Sequence, residues 1–159
     1  MEDAKINDYL IDNAINSSFW NGGQNCSANM RQIIHHKVKD EFLDKVSKKV
    51  KTLTVGNPLD LNSNMGSMIS KKHLATVDGY IQKGIEEGAK LLIGGVSSKE
   101  QKGFFAKPTL FDDLKENMTI AQEEIFGPVL GVLTVKDTEE ALTVATNSKY
   151  GLHASVFTK

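Results

Sequence analysis

Apolar positions recur along the chain with two periods, and the switches between them mark its elements. Ile6, Leu10 and Ala14, together with Ile11, Ile15 and Phe19, repeat every four residues and predict an amphipathic helix over residues 4–19. Asn21-Gly22-Gly23 breaks that pattern. Met30 to Val38, containing Ile33-Ile34, reads as a short strand, and Val38, Phe42, Val46 and Val50 then predict a helix over residues 39–52. Gly56-Asn57-Pro58 through Asn62-Ser63-Asn64 is loop chemistry. Ser70 suits the N-cap of a helix over residues 71–87 that turns Leu74, Val77 and Ile81 inward, and Gly88 suits the left-handed position after it. Leu91-Leu92-Ile93 predicts a short buried strand closed by Gly94-Gly95. Phe104 to Phe111 reads as extended, and Pro108, which has no N–H to give a ladder, points to an edge or a loop. Val129 to Val135 is a further strand. Asp137 and Glu140 frame the start of a helix running to about Asn147. Gly151 to Phe157 alternates Leu152, Ala154 and Val156 to one side and predicts a last strand. Alternating strands and helices of this kind favour an α/β layer fold with a largely parallel sheet.

The chain has 159 residues, the size of one domain, and hydrophobic residues make up 40%, enough for an ordinary core. The balance of 19 Lys and Arg against 20 Asp and Glu leaves a net charge of −1, which removes the basic bias expected of a nucleic-acid binder. The run Lys45 to Lys51 carries its apolar residues at helical spacing, so its lysines read as a solvated helix face. No stretch is long and apolar enough to predict a membrane span, and no signal-peptide core follows Met1. The single cysteine excludes an intramolecular disulfide and fits a reducing, cytoplasmic setting.

Two segments could carry chemistry. Cys26 follows a glycine turn and precedes small residues, where a thiol could be approached by a substrate and main-chain N–H groups could face a developing oxyanion. The alternative is a small buried core residue, the usual state of a lone cysteine. Glu123-Glu124-Ile125-Phe126-Gly127-Pro128 places two carboxylates and an aromatic at a Gly-Pro turn. A carboxylate there could accept from sugar hydroxyls and Phe126 could pack on a planar ring, or the pair could simply be solvated beside a core aromatic. Trp20 reads as a packing residue beside the glycine turn. The histidines are weak candidates: His35 and His36, taken as successive strand residues, face opposite sides and so suit no shared metal. No zinc-type Cys/His spacing and no phosphate-cradling glycine loop occurs.

Taken together these segments resemble the aldehyde dehydrogenase superfamily. Its cysteine motif, Phe-x-Asn-x-Gly-Gln-x-Cys-x-Ala-x-x-Arg, is matched at every fixed position from Phe19 to Arg31, and its Glu-Glu-Ile-Phe-Gly-Pro-Val motif stands at Glu123 to Val129. Gly56 to Asp60, Gly88 to Gly95 and Tyr150 to Leu152 add family-like segments in the right order, so the resemblance covers essentially the whole chain. Residues 56–95 look most like γ-glutamyl-γ-aminobutyraldehyde and related amino-aldehyde dehydrogenases.

The resemblance implies a three-layer catalytic domain over residues 1–159, cut at both ends relative to a full-length member, without the Rossmann-type domain that holds most of the dinucleotide. It implies Cys26 as the catalytic nucleophile, forming a thiohemiacetal and then a thioester, with its own N–H as one oxyanion donor. Glu124 matches the glutamate that holds the nicotinamide ribose of NAD or NADP, and Phe126 the aromatic packed beside it. His73 falls where relatives approach the cofactor, at a position of variable identity. The partners implied are a small aldehyde substrate and, in the full-length protein, further copies of itself, with no nucleic acid and no membrane. The family's Glu-Leu-Gly-Gly-Lys segment, bearing the general base, does not occur in this sequence. The polypeptide alone is therefore expected to lack useful dehydrogenase activity. Two other readings remain at this level: a cysteine acyl-transferase or hydrolase using His35 or His36 as base, and a non-catalytic assembly module.

Overall fold

A computed structural model describes residues 2–98 and 102–158. The elements in chain order are α1 (Asp8–Phe19), β1 (Arg31–His35), α2 (Lys39–Val50), α3 (Lys71–Glu86), β2 (Lys90–Ile93), β3 (Thr109–Asp112), α4 (Thr119–Gln122), β4 (Val129–Val135) and α5 (Thr138–Thr146). The strands form one sheet in the order β1-β4-β3-β2. β1 and β3 run parallel to the central β4, with Arg31 opposite Gly131 and Thr109 opposite Val129, and β2 closes the sheet antiparallel to β3. The mixed α/β class with a mostly parallel sheet is thus as the alternating pattern predicts.

Side chains that alternate along β3 and β4 split the core into two layers. Leu110, Leu130 and Val132 face α1 and α2, meeting Leu10, Ile15, Phe19, Phe42 and Val46. Phe111, Val129, Leu133 and Val135 face the other way, against Val77 and Ile81 of α3 and Val144 of α5. The sheet is therefore sandwiched between two helical layers, each helix burying one apolar stripe.

Capping chemistry sets several boundaries. α1 begins at residue 8 rather than 4 because Asn7 is its N-cap, its Oδ1 accepting from Leu10 N at 3.0 Å; Ile6 is buried ahead of the helix. Ser70 and Asp137 cap α3 and α5 as predicted, accepting from His73 N at 3.1 Å and Glu140 N at 2.9 Å. Gly88 follows α3 at φ 91°.

Three sequence expectations fail. Leu91, expected buried, is 37% exposed because β2 is the sheet's edge strand. Conversely, β3 is interior, not an edge. Pro108 lies one residue before it, where its missing N–H removes no ladder bond, and Thr109 N donates to Pro128 O at 2.8 Å. Residues 151–157 form no strand: Leu152 and Val156 are exposed and no ladder partner pairs with them among the described residues. Alternation creates an apolar face, but a strand also needs a neighbour with free N–H and C=O groups in register.

Candidate active site

The topology brings the two candidate motifs together. The residues after Cys26 lead into β1 and those after Phe126 lead into β4, and these strands are parallel neighbours. Both loops consequently lie at the amino-terminal edge of the sheet. Gly131 N donates to Met30 O at 2.8 Å and carries the ladder to the end of the cysteine loop.

The cysteine loop is tightly built. After α1, the 3-10 turn Trp20–Gly23 passes through left-handed backbone at Asn21 (φ 54°), Gly22 (φ 65°) and Gly23 (φ 70°). Gln24 fastens it: its Nε2 donates to Asn21 O at 3.1 Å, its Oε1 accepts from Ile69 N at 2.9 Å, and Asn21 Nδ2 donates to Gln24 O at 3.0 Å. Downstream, Asn25 Oδ1 accepts from Ser27 N at 3.2 Å and from Ser27 Oγ at 3.1 Å, an Asx-type turn around the cysteine. Ser18 Oγ donates to Asn29 O at 2.6 Å and ties the loop back to α1. Cys26 itself is exposed, with Sγ 4.0 Å from Asn25 Oδ1, and its main-chain N–H has no acceptor among the described residues. The alternative of a buried core thiol does not hold. Trp20, expected to pack, is 67% exposed beside the loop.

The second loop touches the first at Gly23. A Cβ on that residue would lie 2.1 Å from Gly127 O and 2.4 Å from Gly127 C, so only glycine allows the two backbones to approach this closely. Across the loop, a Cβ on Gly127 would meet Val77 of α3 at 2.6 Å. The Gly127 peptide is thus clamped between the cysteine turn and α3. Phe126 before it is half-buried and left-handed at φ 56°, an uncommon conformation for an aromatic. His73, in the first turn of α3, reaches it twice: Nε2 is 2.6 Å from Phe126 O, and the rings meet edge-on at 6.1 Å. Glu124 is exposed, and its carboxylate has no hydrogen bond or ion pair among the described residues. Its neighbour Glu123 is occupied, Oε2 accepting from Tyr80 OH at 2.8 Å; that bond holds the Tyr80 hydroxyl above the ordinary tyrosine range.

The sequence reading picked out Cys26, Glu124 and Phe126, and the fold brings their two loops into contact. It did not pick out Gln24 and Tyr80, and it left His73 aside. The Ser70 cap was the available signal for His73, because it places residue 73 in the first helical turn facing the loop that precedes β4. His35 and His36 do not lie on opposite faces as expected. His35 ends β1 and His36 begins a 3-10 turn, and their rings are 4.6 Å apart. Even so, no group of His, Cys, Asp and Glu suits a metal among the described residues. A cleft of about 400 Å3 lined by Lys39, Asp113, Lys115 and Glu140 lies beyond the carboxyl ends of β3 and β4, away from both loops. Cys26 stands instead on open surface. No helix among the described residues is long and apolar enough to cross a membrane.

The structure is thus a layered α/β fold that presents an exposed thiol on a glycine turn, held against a carboxylate-aromatic turn. The chain belongs to the aldehyde dehydrogenase family, whose profile matches residues 1–159. It is 43% identical over its whole length to the mitochondrial aldehyde dehydrogenase of Rattus norvegicus, of which it covers 30%. The NAD+ complex of an aldehyde dehydrogenase from Bacillus cereus superposes with a TM-score of 0.94 at 40% identity, over 100% of this chain and 32% of that one. A betaine aldehyde dehydrogenase from Staphylococcus aureus, also in complex with NAD+, gives 0.92 at 33% identity, over 99% of this chain and 32% of that one. The chain spans about a third of the length of the relatives it matches.

Proposed function

We propose that this chain supplies the nucleophile-bearing part of an NAD(P)+-dependent aldehyde dehydrogenase, with Cys26 as nucleophile and Glu124 and Phe126 at the nicotinamide ribose. The contact of Gly23 with Gly127 is the observation that carries this reading, because it couples the thiol loop to the carboxylate-aromatic turn through backbone. The residues fit the dinucleotide: the unpartnered Glu124 carboxylate suits acceptance from two vicinal hydroxyls, and Phe126 offers an apolar ring beside it. When bound, NAD(P)+ supplies the acceptor for the hydride lost by the substrate.

The chain's own residues carry the attack on the substrate. The Cys26 thiolate attacks the aldehyde carbon, and the unclaimed Cys26 N–H is free to donate to the oxygen as it becomes anionic. Oxidation leaves a thioester on Sγ, which water cleaves to the carboxylic acid. A thiolate suits both steps, being a strong nucleophile and a tolerable leaving group near neutral pH. The water step needs a general base, and the family's base-bearing Glu-Leu-Gly-Gly-Lys segment does not occur in this sequence. The competing acyl-transfer reading loses its base, since His35 lies at the far end of β1, about 13 Å along the strand from its start. Amino-aldehydes are the first substrates to assay, on the likeness of residues 56–95. A reducing cytoplasmic setting keeps the thiol free, and the exposed Leu152 and Val156 support association with further copies of the chain.

The test uses the protein as its gene encodes it. Aldehyde-dependent reduction of NAD+ is expected, lost in Cys26→Ala, with an acyl adduct on the Cys26 peptide in acid-quenched wild-type samples. Turnover that survives Cys26→Ala, or an adduct on another residue, overturns the assignment. The 159-residue polypeptide alone is expected to show thiol reactivity without turnover.

A further inference from the structure

We infer that His73 is a positioning residue: its ring, protonated at Nε2, holds the Phe126 carbonyl and thereby fixes the turn that presents Glu124 and Phe126 to the dinucleotide. This rests on the reading of that turn as the ribose site. The chemistry of the contact settles its direction. A main-chain carbonyl only accepts, so at 2.6 Å the Nε2 of His73 must carry the proton and donate. Three features make the contact more than incidental. The Ser70 cap pins the first turn of α3, because Ser70 Oγ accepts from His73 N at 3.1 Å. Phe126 has a left-handed backbone that its own side chain disfavours, so its carbonyl needs an outside tether to hold that orientation. The next residue is already clamped, with Val77 on one side of Gly127 and Gly23 on the other. Tyr80 ties this turn at Glu123 and Thr109 N ties it at Pro128, and His73 supplies the side-chain tie at Phe126 between them.

The tether acts at the second residue after Glu124. Rotation of the Phe126 peptide would swing the ring away from its edge-on contact with His73 and re-aim the exposed, otherwise unrestrained Glu124. Losing the donor should therefore weaken dinucleotide binding rather than chemistry at Cys26, which stands on the other loop.

Two measurements decide this, each on the protein as its gene encodes it. Long-range proton–nitrogen NMR of histidine-labelled protein, with the His73 signal assigned by its loss in His73→Gln, should show Nε2 protonated. A ring protonated only at Nδ1 overturns the proposal. Calorimetric titration with NAD+ should show the dissociation constant rising about tenfold in His73→Ala and largely recovering in His73→Gln, whose amide can still donate. The Michaelis constant for NAD+ should move with it, while kcat changes far less. Unchanged affinity in His73→Ala, or no recovery in His73→Gln when both variants unfold at the wild-type temperature, overturns it. If the wild-type protein binds no dinucleotide, the reading of the ribose site fails, and the protonation state of His73 still decides the tether by itself.

Discussion

Replacing Gly23 by alanine attacks the junction between the two loops with a single methyl group. Two costs add. The residue sits at φ 70°, where an L side chain costs about 1–2 kcal/mol. The new Cβ would also stand 2.1 Å from Gly127 O and 3.0 Å from Pro128 N, against rigid backbone with no rotamer to swing aside. Relief requires the loops to part by about 1 Å, a normal C···O contact being roughly 3.3 Å. With both contributions the expected destabilisation is about 3–4 kcal/mol, in the range of mutations that create a buried clash. A displacement of that size at a reacting centre costs on the order of 100-fold in rate. Gly88→Ala provides the internal reference. Gly88 is also left-handed, at φ 91°, but nothing lies within 4 Å of its Cβ position, so it should lose only the backbone term of about 1–2 kcal/mol and leave the site intact. Urea unfolding by circular dichroism, with the iodoacetamide labelling rate of Cys26 and aldehyde turnover, separates the two contributions. If Gly23→Ala matches Gly88→Ala in stability and activity, the loops are not coupled through this contact and the proposed site loses its main support.

Two further outcomes follow from groups outside the junction. Lys39 Nζ lies 2.9 Å from the buried Asp112 Oδ1 and 2.8 Å from Asp113 Oδ1. Lys39→Met should cost about 3 kcal/mol at pH 7, because Asp112 is left charged and buried without that partner. Burial opposes the charge on Lys39, but the two carboxylates outweigh it and hold the ammonium above its usual range; Lys39 in turn holds Asp113 below the usual carboxylate range. Asp113 therefore contributes stability above its unfolded value of about 3.9, lost as pH falls through the lower folded value, while the Lys39 contribution is lost as pH rises from about 10.4 through the raised one. The wild-type advantage should be flat between about pH 5 and 9 and shrink outside it; a urea series giving an unchanged gap at pH 2.5 would refute the pairing. Ultraviolet titration should find Tyr80 ionising above the ordinary tyrosine range, and Glu123→Gln should bring it down. A Tyr80 transition unmoved by that substitution would show the bond is not formed in solution.

The helices were legible because their signals are local. Spacing of four places Phe42, Val46 and Val50 on one face, and Ser70 and Asp137 announce helix starts by their own hydrogen-bonding chemistry. The thiol and the carboxylate-aromatic turn were legible as motifs. What the sequence could not carry is whatever depends on a neighbour. Pro108 reads as an edge signal, yet one residue of offset leaves β3 interior. Leu91 and Leu92 read as buried, but no strand covers β2 on its outer side among the described residues. Residues 151–157 have the alternation of a strand without its partner. His73 needs the fold to bring a carbonyl 53 residues away to its ring.

The placement of the site follows from the pairing of β1 with β4 more than from either motif. Neither loop has a hydrophobic centre of its own. Each is held by the strand it enters, by one clamp of glycine against backbone, and by short polar ties from Gln24 and His73. In a parallel pair the two strand starts lie at the same edge, so a shared register brings the two preceding loops together without any direct attraction between them. A one-residue slip of β1 against β4 would exchange Ile34, packed on the α1–α2 side, with Ile33, packed on the other, so core packing locks the register that joins the loops. Geometry at Cys26 is in this sense a product of the buried face of β4, and core substitutions there should disturb the thiol loop before they unfold the chain. Val132→Ala, buried on the α1–α2 side of β4, is the case in point. A loss of about 1–2 kcal/mol from the two methyl groups removed should be accompanied by a changed Cys26 labelling rate, whereas the same loss with labelling unaltered would mean the loops hold themselves.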